Sequence, residues 1–220
     1  MAQRGVGGVL CLGDLVGYGP DPGPCVRLIR ERDAAVVAGN HDYAVAGLTS
    51  LGFFNPYARA AAEWTSRELG HDDRSWLSDL PLRATVGPAT LVHASPLHPE
   101  DWNYLFSAED GAGAFPHFST PLCFVGHSHL PGVWVQDGRR VSYHRGSGRI
   151  KLDPSCRYLI NVGSVGQPRD RDPRAAYALW DEAEEWVEWV RVVYPIPLTQ
   201  QKILRAGLPS VLAERLSRGT

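Results

Sequence analysis

The stretch Gly8-Val9-Leu10-Cys11-Leu12-Gly13-Asp14 decides how this chain folds, because a short apolar run ends in a glycine and an aspartate. A helical pattern follows over residues 24–32, and a second apolar run occupies residues 34–38. A strand, a helix and a strand within so few residues predict a βαβ unit with two parallel, neighbouring strands. In such a sheet, ligands gather beyond the carboxyl ends of the strands.

Side chains with oxygen or nitrogen donors follow four predicted strands. In chain order they lie in Gly13-Asp14, Gly39-Asn40-His41-Asp42, Leu91-Val92-His93-Ala94-Ser95 and Gly126-His127-Ser128-His129. Each motif alone has an ordinary explanation. The second reads equally well as a turn followed by an Asp cap, the third as a hydrogen-bonded core histidine, and the fourth as a surface turn. Four strand ends that all offer donors are hard to explain by packing alone.

Carboxylate, amide and imidazole donors together predict a metal site suited to Mn, Fe, Co, Ni or Zn. The candidate ligands are Asp14, Asn40, His93, His127 and His129. The other histidines lack a strand-end setting, and we interpret them as surface or structural residues; they are His71, His98, His117 and His144.

The rest of the chain alternates helices with hairpins. Helices are predicted over residues 55–69, 73–79, 107–113, 199–206 and 209–217, hairpins over 82–93, 132–144 and 175–194, and a further strand over 157–162. We therefore expect one α/β domain over residues 1–220, with two mixed β-sheets packed face to face and helices on the outside. The strand at residues 186–194 is apolar on both faces, which indicates burial between layers or contact with a second copy in a homo-oligomer.

The composition is that of an ordinary globular protein, with 44% hydrophobic and 21% charged residues and a net charge of −2. The arginines are scattered along the chain, so we expect no nucleic-acid partner. The four cysteines have no CxxC spacing, and neither a signal peptide nor an apolar span of about 20 residues is apparent. These features predict no membrane association and a cytoplasmic location.

The four ordered motifs resemble those of the calcineurin-like metallophosphoesterases. Two longer segments resemble the small bacterial phosphodiesterase-like branch of that family; they are Gly13-Asp-Leu-Val-Gly-Tyr-Gly-Pro-Asp-Pro22 and Asn161-Val-Gly-Ser-Val-Gly-Gln-Pro-Arg169. The resemblance spans nearly the whole chain. It implies a metal-dependent enzyme that hydrolyses a small phosphomonoester or phosphodiester through a metal-activated water.

The resemblance also implies roles for individual residues. The implied ligands are Asp14 bridging two metal ions, Asn40, His93 and His127 completing the shell of one ion, and His129 on the other ion. His41 is implied as a general acid, or as the donor that stabilises the departing oxygen, with Asp42 holding its ring. An imidazolium beside a carboxylate has its charged form favoured, which would suit an acid near neutral pH.

The chain departs from the family at its start, because the family opens with a strand ending in Asp-x-His and residues 1–220 contain no such motif. Met1-Ala-Gln-Arg-Gly5 has the pattern of a last helical turn with a glycine stop. We expect an N-terminally truncated domain from a start site assigned too far downstream, with residues 9–12 as an unpaired strand edge.

The same departure leaves the second implied ion with only Asp14 and His129 as ligands. A depleted site binds its metal weakly, so the expected content is two ions, as in the family, or one. The alternative function is therefore a catalytically impaired, single-metal binding or regulatory module of the same fold. A nuclease is a weaker alternative, because the sequence offers no extended basic groove.

Overall fold

The computed structural model describes residues 5–220. The helix end predicted for residues 1–5 lies, except for Gly5, outside the described residues. The α-helices are α1 (Pro22–Arg30), α2 (Asn40–Ala46), α3 (Pro56–Glu68), α4 (His71–Ser78), α5 (Ala108–Ala114), α6 (Ile196–Arg205) and α7 (Ser210–Glu214). The strands are β1 (Leu10–Cys11), β2 (Ala35–Val36), β3 (Arg83–Val86), β4 (Ala89–Val92), β5 (Leu122–Val125), β6 (Gly132–Asp137), β7 (Arg140–Arg145), β8 (Gly148–Lys151), β9 (Arg157–Asn161), β10 (Ala175–Asp181) and β11 (Trp186–Val192).

The strands form three hydrogen-bonded sheets. The largest is a mixed, six-stranded sheet in the order β3-β4-β5-β9-β6-β7, in which β4, β5 and β9 run parallel. A three-stranded antiparallel sheet has the order β10-β11-β8. The parallel pair β1-β2 forms the third sheet, with Leu10 opposite Ala35. Within residues 5–220, β2 is the one strand that pairs with β1, so the βαβ unit is confirmed and β1 has an unpaired edge.

The two smaller sheets face the six-stranded sheet across the largest core cluster. Its buried residues come from both sides and include Leu12, Val37, Leu91, Phe124, Ile160, Val187 and Trp189. Helices α1 to α4 cover the outer face of the β1-β2 pair. Helix α5 and the turn after it cover the outer face of the six-stranded sheet. The predicted face-to-face packing of mixed sheets between helices is therefore confirmed, although one layer consists of two separately bonded sheets.

The β10-β11 hairpin answers one question that the sequence left open. Val187 and Trp189 of β11 are buried in the core between the sheets. The indole N–H of Trp189 also donates to the Asn161 carbonyl at 2.8 Å. The alternate residues of β11 lie on the outer face, where the guanidinium of Arg149 stacks 3.9 Å from the ring centre of Trp186. One face of this strand is thus buried between layers.

Two elements have no counterpart in the sequence-based predictions. Helix α2 begins inside the Gly39-Asn40-His41-Asp42 motif, which the sequence indicated only as a turn. Strand β8 lies in a polar, glycine-containing stretch and pairs with β11. Among the described residues, none of the helices combines the length and the apolar character that a membrane crossing needs.

Candidate metal centre

The predicted donor residues meet where the two facing layers bring the carboxyl ends of their strands together. His93 directly follows β4, and His127 lies two residues beyond β5 in the six-stranded sheet. Asp14 lies three residues beyond β1, in the opposite layer. The ring Nδ1 of His93 pairs with the Leu12 carbonyl at 2.6 Å, so a hydrogen bond ties the two layers together at this point.

Asp14, His93 and His127 form a compact group whose candidate ligand atoms all lie within 4.8 Å of one another. His93 Nε2 is 3.1 Å from His127 Nδ1 and 3.4 Å from Asp14 Oδ2. Both histidines are buried, and the carboxylate is largely so. A carboxylate oxygen and two imidazole nitrogens at this spacing make a candidate site for a divalent metal ion.

Three predicted ligands have backbone conformations that L-residues seldom adopt. The φ angles are 52° at Asp14, 60° at His127 and 62° at His129. Non-glycine residues in the left-handed region cost free energy, and they cluster at functional sites where the surrounding structure holds them. The backbone conformation at these three residues therefore costs folding free energy and sets the direction of their side chains.

Asn40 is the first residue of α2 and supplies a further donor. Its side-chain oxygen is buried without a hydrogen-bond partner among the described residues. The next residue, His41, donates its backbone N–H to Asp14 Oδ1 at 3.0 Å, which places the start of α2 against the carboxylate. A buried amide oxygen without a partner is costly, and a cation would satisfy it. This orphaned oxygen shows that the donor set fits a metal ion.

Gly39 allows this close approach of α2 to Asp14. A Cβ atom on Gly39 would collide with the Asp14 carboxylate and with its backbone nitrogen. The residue has an ordinary φ of −99°, so glycine is needed here for space and not for conformation.

The role expected for Asp42 is wrong. Its carboxylate does not hold the His41 ring; Oδ2 accepts the backbone N–H of Gly39 at 2.9 Å, and Oδ1 accepts that of Val16 at 3.3 Å. His41 Nδ1 has no partner among the described residues. Asp42 instead caps the first turn of α2 from its third position, with Gly39 as the N-cap residue. The alternative interpretation of this motif, a turn followed by an Asp cap, placed Asp42 before the helix. Burial and the nearby charge of Asp14 raise the pKa of Asp42 to about 7.

The expectation for the His41 pKa is also wrong. Burial lowers the pKa of His41 below its ordinary value, and the opposing effect of the Asp14 carboxylate is too small to restore it. The ring lies between two aromatic side chains, with centroid distances of 4.4 Å to Tyr18 and 4.9 Å to Phe54. The neutral imidazole is therefore the favoured form of His41.

His129 lies beside the compact group but is not part of it. Its Nδ1 pairs with the Gln167 carbonyl at 2.6 Å, an arrangement that fixes the ring and leaves Nε2 for another contact. Of the five predicted ligands, the structure thus gathers three into one cluster and orients His129 through Gln167. The fifth, Asn40, has an unpartnered oxygen and precedes the residue whose N–H donates to Asp14.

Burial and mutual charge set the protonation states in the cluster. Burial alone would raise the pKa of Asp14, but the imidazoles of His93, His41 and His127 outweigh it and hold that pKa well below its ordinary value. Burial opposes charge on His93, yet the Asp14 carboxylate raises its pKa. Burial, with the charge of His93, lowers the pKa of His127 to about 3. The lowered pKa values of Asp14 and His127 favour the deprotonated forms that bind metals, whereas the raised pKa of His93 means that metal binding there competes with a proton.

Two residues that support the site were not among the predicted site residues. Asn161 donates from Nδ2 to the Gly126 carbonyl at 2.5 Å and to Ser128 Oγ at 2.9 Å, so it holds the turn that carries His127. Tyr104 stacks on the His127 ring with 4.1 Å between centroids. Asn161 had a visible signal, because it is a polar residue at the carboxyl end of an apolar strand. For Tyr104, the only signal in the sequence was an aromatic residue in a long loop.

Comparisons with known proteins agree with this geometry. The profile of the calcineurin-like phosphoesterase superfamily domain matches residues 1–185. The chain belongs to the calcineurin-like phosphoesterase superfamily. An uncharacterised protein of Methanocaldococcus jannaschii is 42% identical over 221 residues, covering 99% of this chain and 88% of the relative.

Two solved structures are similar to this chain in fold. A metallophosphoesterase from Sphaerobacter thermophilus is 45% identical, with a TM-score of 0.88, and the match covers 100% of this chain and 91% of that chain. A hypothetical protein of Pyrococcus horikoshii is 21% identical with a TM-score of 0.79, covering 100% of this chain and 88% of that one, and it supports the fold alone. The family resemblance of the four motifs is therefore confirmed.

Proposed function

We propose that this calcineurin-like phosphoesterase hydrolyses small phosphate esters with the help of a divalent transition metal ion. The observation that carries the proposal is the convergence of Asp14, His93 and His127. The unpartnered oxygen of Asn40, next to the backbone N–H that donates to Asp14, supports it. When bound, such an ion lowers the pKa of a water ligand and offsets the charge of phosphoryl oxygens. The mixed oxygen and nitrogen donors suit Mn, Fe, Co, Ni or Zn.

The protein supplies this chemistry by presenting its donors in fixed positions. The low pKa of Asp14 keeps its carboxylate anionic, and the Leu12 carbonyl fixes the ring orientation of His93. We propose that Asn40, His93 and His127 join Asp14 around one ion. His129, fixed by the Gln167 carbonyl, would serve a second ion together with Asp14. Hydrogen bonds that hold a ligating ring raise its affinity for metal.

His41 is the group that we propose acts on the departing oxygen. Its favoured neutral form makes donation from a ring N–H the better-supported role, since general acid catalysis needs the imidazolium. The neighbouring rings of Tyr18 and Phe54 exclude water from the imidazole. A donor in such surroundings is worth more than one in water.

A single-ion binding or regulatory module remains the second candidate. The observation that favours it is that the compact cluster gathers one carboxylate and two histidines, enough for one ion, while His129 lies outside it. Metal analysis together with turnover separates the two candidates. One tightly bound ion per chain without turnover supports the module, whereas metal-dependent hydrolysis supports the enzyme.

The first prediction tests hydrolysis directly. Purified protein with added Mn²⁺ should cleave a nitrophenyl phosphate ester, and EDTA should abolish the activity. Asp14→Asn should lose at least about 100-fold in turnover, because it removes the charge of the central ligand while keeping a side chain of the same size. Activity that is unchanged by EDTA or by Asp14→Asn would refute the proposed function.

A further inference from the structure

Arg169 lies against the metal centre and is held there by neutral oxygens. Its backbone N–H donates to the His129 carbonyl at 3.3 Å. Its side chain donates to Gln167 Oε1 from Nε at 3.2 Å and from Nη2 at 2.9 Å, and to the Tyr18 hydroxyl at 3.3 Å. Gln167 is buried, and its carbonyl also fixes the His129 ring. Gln167 therefore positions the Arg169 guanidinium through its side-chain oxygen and the His129 ring through its backbone carbonyl.

The positive charge of Arg169 has no carboxylate beside it. Within the part of the chain that the structure describes, its side chain forms no ion pair. The adjacent Asp170 pairs with Arg191 instead. Asp172 pairs with Arg174 at 2.6 Å. The nearest acids in the sequence are thus committed to other arginines, and none of the described carboxylates pairs with Arg169.

The guanidinium also keeps donor groups free. No described residue accepts a hydrogen bond from the Nη1 of Arg169. This nitrogen is also absent from the buried side-chain atoms that lack a partner. The guanidinium lies 5.6 Å from the centre of the Tyr18 ring, and that ring packs at 4.4 Å on His41. Arg169 therefore faces the same space as the candidate ligands.

We propose that Arg169 binds non-bridging oxygens of the substrate's phosphoryl group and makes the site prefer phosphomonoesters over phosphodiesters. Guanidinium is always charged, and the Nη1 of Arg169, which donates to none of the described residues, has two N–H groups for phosphate oxygens. A monoester offers three non-bridging oxygens and a second negative charge, whereas a diester offers two oxygens and a single charge. The preference for monoesters rests on the proposed function, but binding of a phosphate group by Arg169 does not.

The second prediction is measured with inorganic phosphate as the probe. Calorimetric titration of Mn-loaded protein with phosphate should show binding that Arg169→Gln weakens about tenfold or more, the loss expected for a charge-assisted hydrogen bond. Arg169→Lys keeps the charge but lacks the planar set of guanidinium N–H groups. Its phosphate affinity should therefore lie between those of wild type and Arg169→Gln. In turnover, Arg169→Gln should raise KM for nitrophenyl phosphate more than KM for bis-nitrophenyl phosphate, with a smaller effect on kcat.

A matched control separates this site from general surface charge. Arg140→Gln removes the same charge from the exposed start of β7 and should leave phosphate affinity and KM unchanged. Equal phosphate affinity in wild type and Arg169→Gln, with metal content preserved, overturns the inference whether or not the protein turns over substrate. Arg169-dependent phosphate binding without hydrolysis upholds phosphate binding by Arg169 and rejects the proposed enzymatic function, along with the substrate preference that depends on it.

Discussion

The imidazole of His41 is a polar group surrounded mainly by carbon. The rings of Tyr18 and Phe54 pack against it, and its Nδ1 has no partner among the described residues. Gly17 also lies against this ring, and a Cβ atom on Gly17 would collide with it. A buried ring nitrogen without a partner is costly unless it has a task. Its backbone N–H, in contrast, is committed to Asp14. The ring of His41 can therefore be changed without removing the contact that supports the central ligand.

The third prediction uses this separation. His41→Ala should keep metal binding largely intact and cut turnover on the order of 100-fold or more, because the backbone contact to Asp14 survives and the ring donor is lost. His41→Gln retains an N–H donor and should recover part of the activity, which an imidazolium acid could not explain. Metal analysis and kcat on both variants check the assignment. A parallel loss of bound metal in His41→Ala would contradict it.

Residue types at strand ends predicted most of the candidate donors. Asp14, His93 and His127 each follow an apolar run, and parallel strands bring such positions together. The partners of these residues were not predictable in the same way. The sequence is the same whether Asp42 holds the His41 ring or caps helix α2. Only the three-dimensional structure, in which Asp42 accepts the Gly39 N–H, distinguishes the two roles. Asn161 and Gln167 act through tertiary contacts that the sequence does not encode locally.

At the scale of elements, the site depends on how closely α2 approaches the end of β1. Both Gly13 and Gly39 lie in this contact, and an added Cβ at either position would meet the backbone of the other segment. The approach lets the first turn of α2 donate to Asp14 and places the Asn40 oxygen near it. Packing at this density does not accommodate an extra methyl group without movement.

The fourth prediction concerns the N-cap glycine of α2. Gly39→Ala should weaken metal binding tenfold or more, roughly the effect of losing one well-placed ligand or its support. Gly70→Ala is a matched control, since Gly70 is the N-cap of α4, has a φ of −65° and has open space where the Cβ would lie. Titration with Mn²⁺ should show normal affinity for Gly70→Ala. Equal affinities in the two variants would mean that the close contact is unimportant.

Hairpins and long helices were predictable from the sequence, and short irregular elements were not. Asn55 accepts the N–H groups of Tyr57 and Ala58 and starts α3 where the Asn-Pro pair indicated. Helix α2 has only seven residues and begins directly after Gly39 in a polar motif, so periodicity could not reveal it. Strand β8 is stabilised across the sheet, where Arg149 bonds Glu188 at 2.7 Å. The extended conformation of β8 therefore depends on its pairing with β11.

At the scale of the whole molecule, the candidate ligands join segments that are far apart in sequence and belong to facing layers. Asp14 and Asn40 come from the β1-β2 side, and His93 and His127 come from the six-stranded sheet. The unfolded chain does not hold these donors together. A ligand that binds only the folded state stabilises it by mass action, so bound metal should resist separation of the layers.

The fifth prediction follows from this arrangement. Mn²⁺ at about 100 times its Kd should raise the free energy of unfolding by about 2.7 kcal/mol, and EDTA should reverse the gain. Asp14→Asn should show much less stabilisation at the same Mn²⁺ concentration. His144→Ala removes an exposed histidine of β7 and should respond like wild type. Thermal unfolding with and without metal measures the effect, and an undiminished shift in Asp14→Asn would place the binding elsewhere.

The left-handed backbone at Asp14, His127 and His129 limits how these positions can be probed and how they can vary. Alanine there deletes the donor and still carries the steric penalty of a Cβ in that region. Asparagine tolerates the conformation and keeps an oxygen, whereas glycine accepts the conformation and offers nothing. Directed evolution of this scaffold should therefore find very few replacements that keep the backbone at these three sites. Asparagine is foremost among them for conformation, but at Asp14 it does not replace the negative charge of the central ligand.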